Sequence, residues 1–328
     1  MGIRRNVARN EADRSAYVQG CVALSQTSTG VTGAQADAWL RDQVPGWQLR
    51  GDDQIVLSWW DWFALWHYTA MRLPTAGQAA NRAHGGPIFL PWHRLFLLRL
   101  EEVLQIVLGD PNFGLPYWDW AADGELPTGD QHRTPLFGED ALGTPRGRVD
   151  TGALGGLGVQ LSGRFNRTIG QFLEIHAPRP IERAAGLDFS FPGLPTKADV
   201  SACLTETRYD NAPWDVNAAG FRNHLEGWTP NPPGMHNRVH VWVGGDMSPA
   251  TSPNDPLFYL NHCNVDRIWE AKLRSSTLTY LPANATPNAP AGHRSTDPMV
   301  SFYGDMLTPE HVIDPTPWYS YDDLNVEA

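Results

Sequence analysis

Cysteine is scarce in this chain: Cys21, Cys203 and Cys263 are the only three in 328 residues. Their wide spacing provides neither a disulfide framework nor a thiolate zinc motif, so any bound metal must take nitrogen or oxygen ligands. Basic charge is also short, with 25 Lys and Arg against 36 Asp and Glu, a formal net charge of -11 and no Lys/Arg-rich run. That balance argues against nucleic acid as a partner and gives anionic substrates no long-range steering. No apolar run reaches the roughly 18 residues of a membrane span, so no membrane association is expected. The opening MGIRRNVARNEADRSAYV lacks the apolar stretch of a signal peptide, and Arg4-Arg5 alone is not a twin-arginine signal. The expectation is a cytoplasmic protein, or one exported in company with a separate helper protein.

What the chain does have is apolar and aromatic mass, 41% hydrophobic and 11% aromatic with 14 tryptophans, enough for a substantial core. The segment QIVLSWWDWFALWHYTAMR (54–72) is apolar nearly all round, and PWHRLFLLRLEEVLQIVLG (91–109) opens on Pro91 and stops at Gly109, so both read as buried helices. MHNRVHVWV (235–243) and LFYLNHCNVDRIWEAKL (257–273) read as two more, the latter after the start signal SPNDP. Segments 123–160 and 178–200 are rich in Gly, Pro and Asp without a sustained period, and read as long surface loops. The Pro-rich tail after about residue 275 is expected to wrap over the core. With no repeat and no linker, residues 1–328 are expected to form a single domain, mainly α, with a few short strands.

All four helices carry histidine, and placement is more informative than number. His236 and His240 stand at i and i+4, which puts both imidazoles on one helix face, and His262 follows on the next helix. In the first half His67 ends a Trp-rich helix face, His84 sits in a Gly-flanked loop and His93 lies in the first turn of the following helix. Two triads drawn from two helix pairs fit one metal site inside a four-helix bundle. Imidazole ligation without a bridging carboxylate favours copper over magnesium, calcium or manganese and leaves zinc as the competitor. Zinc proteases carry Glu directly after the first His of HExxH, whereas Asn237 stands here and cannot act as a base. His132, His176, His224, His293 and His311 are read as ordinary structural histidines.

The stretches HGGPIFLPWHR (84–94), LPYWDW (115–120), GFRNHLEGW (220–228), MHNRVHVWVGG (235–245) and NDPLFYLNHCNVDRIW (254–269) resemble the copper-binding segments of tyrosinases, most of all short bacterial ones. IRRNV near the start resembles that family's opening strand, and Tyr319-Ser320-Tyr321 its closing tyrosine motif. The resemblance implies an antiparallel four-helix core with two copper ions, one on His67, His84 and His93 and the other on His236, His240 and His262. It implies dioxygen as co-substrate, phenolic substrates and a helper protein that delivers copper. It assigns Glu226 and Asn237 to a water that accepts the phenol proton, although Asn237 could bond locally and Glu226 could simply pair with Arg222. Phe258 is expected beside the copper pair, Val241 and Ala250 at the substrate entrance, and Asp266 and Arg267 behind a ligand, where an acid orients an imidazole.

The sequence departs from the family pattern in places. Asn261 stands where many tyrosinases have a further histidine, which changes the hydrogen bonding beside His262 but not the ligand count. Arg82 and Ala83 precede His84, so no thioether to that ligand is expected, and Cys263 is expected to be packed rather than reactive. No C-terminal shielding domain is expected after Tyr321. The implied activity is ortho-hydroxylation of monophenols and oxidation of o-diphenols to o-quinones. The alternatives are an oxidase confined to catechols or o-aminophenols, and a haemocyanin-like carrier of dioxygen.

Overall fold

The computed structural model describes residues 1–75, 80–188 and 193–327. Its first part runs β1 (Gly2–Arg4), α1 (Glu11–Gln26), β2 (Ser28–Thr32), α2 (Gly33–Leu40), β3 (Leu49–Gly51), β4 (Val56–Ser58) and α3 (Trp59–Arg72). The middle holds α4 (Phe89–Leu108), α5 (Trp120–Gly124), β5 (Arg146–Arg148), β6 (Val159–Asn166), β7 (Gly170–Arg179) and β8 (Glu182–Ala184). The last part adds α6 (Lys197–Leu204), α7 (Phe221–Glu226), α8 (Met235–Val243), α9 (Leu257–Ser275), α10 (Pro309–Val312) and β9 (Tyr319–Tyr321).

The four expected histidine helices are α3, α4, α8 and α9. α3 starts at Trp59 rather than at residue 54 because Ser58 and Asp61 form a capping box, while Val56–Ser58 pairs with β2 instead. α4 stops where expected: Gly109 takes φ 65°, a left-handed cap that glycine adopts without a Cβ clash. Aromatic side chains interlock these helices. Trp66 of α3 meets Trp92 and Phe96 of α4 at ring distances of 5.8 and 5.0 Å, and Phe96 stacks on Tyr259 of α9 at 5.9 Å. Each such pair adds about 0.5–1.5 kcal/mol beyond area burial, and the apolar surface of α3 and of the first half of α4 is buried on nearly every side.

The fold is mainly α with short strands, as expected, and only β6 and β7 are longer than five residues among the described residues. β6 and β7 form an antiparallel hairpin with β3 parallel on its far side, a three-stranded sheet in the order β3-β7-β6. Asp61 of α3 takes the Gln160 N–H at 2.8 Å, which fastens this sheet to the core. The expected loop 178–200 contains β8 and the start of α6, where Thr196 and Asp199 form a capping box; its residues 189–192 lie outside the described set. The tail does wrap the core: Val300 O accepts from the indoles of both Trp66 and Trp92, at 3.0 and 2.9 Å. β9 pairs in parallel with β1, Gly2 opposite Tyr319, so the two ends of the fold close on each other.

Candidate metal centre

His67 lies on α3, His93 one turn into α4, and the loop between them brings His84 back to both. That loop is held at several points. Asn81 Oδ1 accepts from the N–H groups of Ala83 and His84 at 3.0 and 2.8 Å, and Gly85 N–H donates to Glu226 Oε1 at 2.7 Å. His293 from the tail donates through Nε2 to Asn81 O at 2.9 Å, and a Cβ on Gly86 would come within 2.7 Å of its ring. On the other side, Gly227 takes φ 101° and lets the chain turn so tightly that a Cβ there would sit 2.0 Å from Gly234 O. This sets the start of α8 and aims His236 and His240 at His262 on α9. The ligating atoms of His67, His84 and His93 lie within 4.8 Å of one another, and so do those of His236, His240 and His262.

The two triads face each other, with His93 stacked on His262 at a centroid distance of 4.1 Å, and within the second triad Nε2 of His236 and of His262 approach to 3.0 Å. Backbone carbonyls fix the tautomers. Nδ1–H of His67, His93 and His240 donates to Ala250 O, Phe89 O and Met247 O, each at 2.7 Å, and Nδ1–H of His236 donates to Asn237 Oδ1 at 3.0 Å. The Nε2 atoms of His67, His93 and His240 are then buried lone pairs without a hydrogen-bond partner. Such orphans are rare in folded proteins, and a shared cation satisfies them. Burial pulls the pKa of His67 down to about 3 and that of His240 to about 4, and pulls the other four well below the usual value. All six are neutral at ordinary pH, the form that binds metal. Six imidazole nitrogens and no carboxylate suit copper or zinc.

The remaining expected residues divide. Phe258 stands between the triads, its ring 4.2 Å from His262, 5.0 Å from His67 and 5.7 Å from His240. Val241 and Ala250 line a cavity of about 840 Å³ that opens over both triads, with Asn237 on its wall. Glu226 is fully buried and pairs with Arg222 Nη1 at 2.9 Å, while its carbonyl lies 3.3 Å from His236 Nδ1. Burial pushes its carboxyl up, opposed by Arg222 and the Gly85 N–H. Asn261 is buried with both amide atoms unpartnered, so it makes no hydrogen bond beside His262.

Asp266 requires a correction: it orients no imidazole. Its oxygens are taken by Arg94 Nε at 2.5 Å, Arg4 Nη1 at 3.3 Å and the hydroxyls of Tyr319 and Tyr321 at 2.5 and 2.6 Å. Burial opposes its ionisation, but the two arginines outweigh it and hold the carboxyl below the usual range. It thus ties α4 to α9, the helices of His93 and His262. Arg267 likewise turns away, donating to Asp323 O at 2.7 Å. Cys263 is packed, with its thiol on Leu115 O at 3.3 Å. The sequence reading missed His293 as the brace of the His84 loop and Trp228 and Pro233 at the cavity mouth. GFRNHLEGW ends on Trp228, but nothing local shows that this ring faces the site.

Comparison with known proteins agrees with this geometry. A family model for the common central domain of tyrosinase matches residues 57–271. A tyrosinase from Streptomyces antibioticus is 38% identical over 80% of this chain and 89% of its own length. A grixazone synthase from Streptomyces griseus is 34% identical over 73% of this chain and 81% of its own. Among solved structures, a polyphenol oxidase from Thermothelomyces thermophila superposes with a TM-score of 0.68 over 98% of this chain and 89% of the other, at 20% identity, and shares the fold. The two facing histidine triads, the four helices that hold them and this match over most of the sequence together show that the chain belongs to the tyrosinase family of type 3 copper oxidases.

Proposed function

We propose that the protein ortho-hydroxylates monophenols and oxidises o-diphenols to o-quinones with dioxygen, using one copper on His67, His84 and His93 and a second on His236, His240 and His262. The observation that carries this reading is the pair of triads at the floor of a cavity whose 840 Å³ admits a substituted aromatic ring. When bound, the copper pair supplies two-electron exchange with dioxygen and with the phenol. The chain's residues do the rest. The carbonyls on Nδ1 hold the imidazoles of His67, His93 and His240 with Nε2 forward, and Phe258 packs against His67, His240 and His262. Releasing a phenol proton at pH 7 costs about 4 kcal/mol for a pKa near 10. Glu226 and Asn237, next to His236, are proposed to hold the water that takes it. Because Nε2 of His67, His93 and His240 is buried, copper delivery through the cavity by a helper protein is part of the proposal.

A second reading, oxidation confined to o-diphenols or o-aminophenols, is favoured by the unpartnered Asn261 beside His262 and by a relative named grixazone synthase. Separate incubation of copper-loaded protein with 4-methylphenol, catechol and 2-aminophenol tests both. Quinone from 4-methylphenol supports the first reading. Turnover of the other two alone replaces it with the second, and no turnover of any substrate overturns both.

A further inference from the structure

The cavity above the triads has no Asp, Glu, Lys or Arg among its described lining residues. Between the imidazoles and solvent its wall is built by Met71, Val216, Trp228, Pro232, Pro233 and Val241. Charged residues next to the lining in sequence are already engaged, Asp215 by the Asn217 N–H at 2.8 Å. Arg72 reaches Gln171 at 3.1 Å, Arg82 reaches Pro298 O at 3.0 Å, and Arg238 reaches Pro233 O at 3.1 Å and Asp199 at 3.4 Å. Asn81 has spent its side-chain oxygen on two N–H groups of its own loop. At the mouth, Trp228 is 39% and Val241 36% exposed, large apolar surfaces that lose water when a ligand covers them. Pro232 and Pro233 have no N–H to offer an anion.

We propose that this site selects uncharged phenols and catechols with an apolar para substituent over those with a carboxylate or zwitterionic side chain, and that Trp228, Pro232, Pro233 and Val241 set this preference. The proposal rests on the phenol-oxidase reading above. A carboxylate drawn along this wall loses hydration and finds no cation in exchange. It also approaches a chain of net charge -11. An alkyl chain gains roughly fourfold in binding per methylene covered. An ammonium is attracted by the overall field but still loses hydration at the wall, so it falls between the two.

The test compares kcat/KM for three catechols, 4-butylcatechol, dopamine and 4-(3,4-dihydroxyphenyl)butanoate, on copper-loaded protein at low and at high salt. 4-Butylcatechol is expected to exceed the butanoate by about 30-fold or more, with most of the gap surviving high salt because the wall, not the distant field, produces it. Trp228→Ala should raise KM for 4-butylcatechol about tenfold with a much smaller change in kcat. Val241→Arg, which supplies the missing cation, should raise kcat/KM for the butanoate about tenfold. Binding to copper-free protein, followed by saturation-transfer NMR, should show 4-butylphenol and not 4-(4-hydroxyphenyl)butanoate. Oxidation of all three catechols within threefold of one another, or equal binding of the two phenols, overturns the selectivity and leaves the oxidase reading intact. Absence of any oxidation overturns that reading instead, and the binding comparison still decides the selectivity.

Discussion

Replacing Glu226 by Gln keeps its size and removes its charge, and the structure gives separate expectations for stability and for chemistry. The carboxylate takes the Gly85 N–H on one oxygen at 2.7 Å and Arg222 Nη1 on the other at 2.9 Å. A glutamine can keep only one of these, since its amide nitrogen must face the other donor. Arg222 stays paired with Asp210 at 2.7 Å, so the loss is one charge-assisted bond rather than an abandoned buried charge. That loss is worth about 2 kcal/mol, or a fall in Tm of roughly 3 °C. The chemical effect is larger and selective. Burial makes this carboxylate a stronger base than an exposed one, and general-base loss lowers rates by about 10² to 10⁴. Only monophenols meet the full deprotonation cost of about 4 kcal/mol. Rates on 4-methylphenol and 4-methylcatechol, with copper content and Tm measured on the same sample, should therefore show hydroxylation falling at least about a hundredfold more than oxidation. Equal declines at unchanged copper content would refute the base assignment and leave Glu226 as a brace for the His84 loop.

His240→Ala removes one of three nitrogens from its triad, so metal analysis should find about one copper per chain instead of two; two retained coppers would remove His240 from the ligand set. His293 is buried with its pKa pulled down to about 3, mainly by burial. Because the folded state binds fewer protons than the unfolded one below pH 6.5, its contribution is full above that value and is lost toward pH 3, by about 1.4 kcal/mol per pH unit. The stability gap between the parent and His293→Gln should accordingly shrink between pH 7 and pH 5, and a constant gap contradicts the buried neutral imidazole. Burial pushes all three thiols up, that of Cys263 to about 12. Ellman's reagent at pH 8 should thus find no reactive thiol in the folded protein and three after unfolding, and rapid labelling of the folded protein would contradict this packing.

The sequence by itself determined the parts written in local spacing. The i, i+4 pair His236 and His240, the stop at Gly109 and the apolar faces around Trp66 and Trp92 are consequences of helical geometry, legible without knowing what lies opposite. The short segments around the six histidines also carried the family. Other features depended on encounters between distant residues. Phe89, Ala250 and Met247 fix three imidazoles through carbonyls that every residue possesses, so no side-chain pattern marks them. Asp266 is within a turn of His262, yet it turns to arginines from the first strand and from α4, because a buried carboxylate is stabilised more by two guanidiniums than by a neutral ring. The hairpin of β6 and β7 alternates only over the first residues of β6 and around Leu173 and Ile175 of β7, the parts that meet the core, too short a run for periodicity to mark. The neutral wall of the cavity is assembled from Met71, Val216, Trp228 and Val241, far apart in the chain, and an absence of charge shared by distant positions becomes a property only when folding places them around one space.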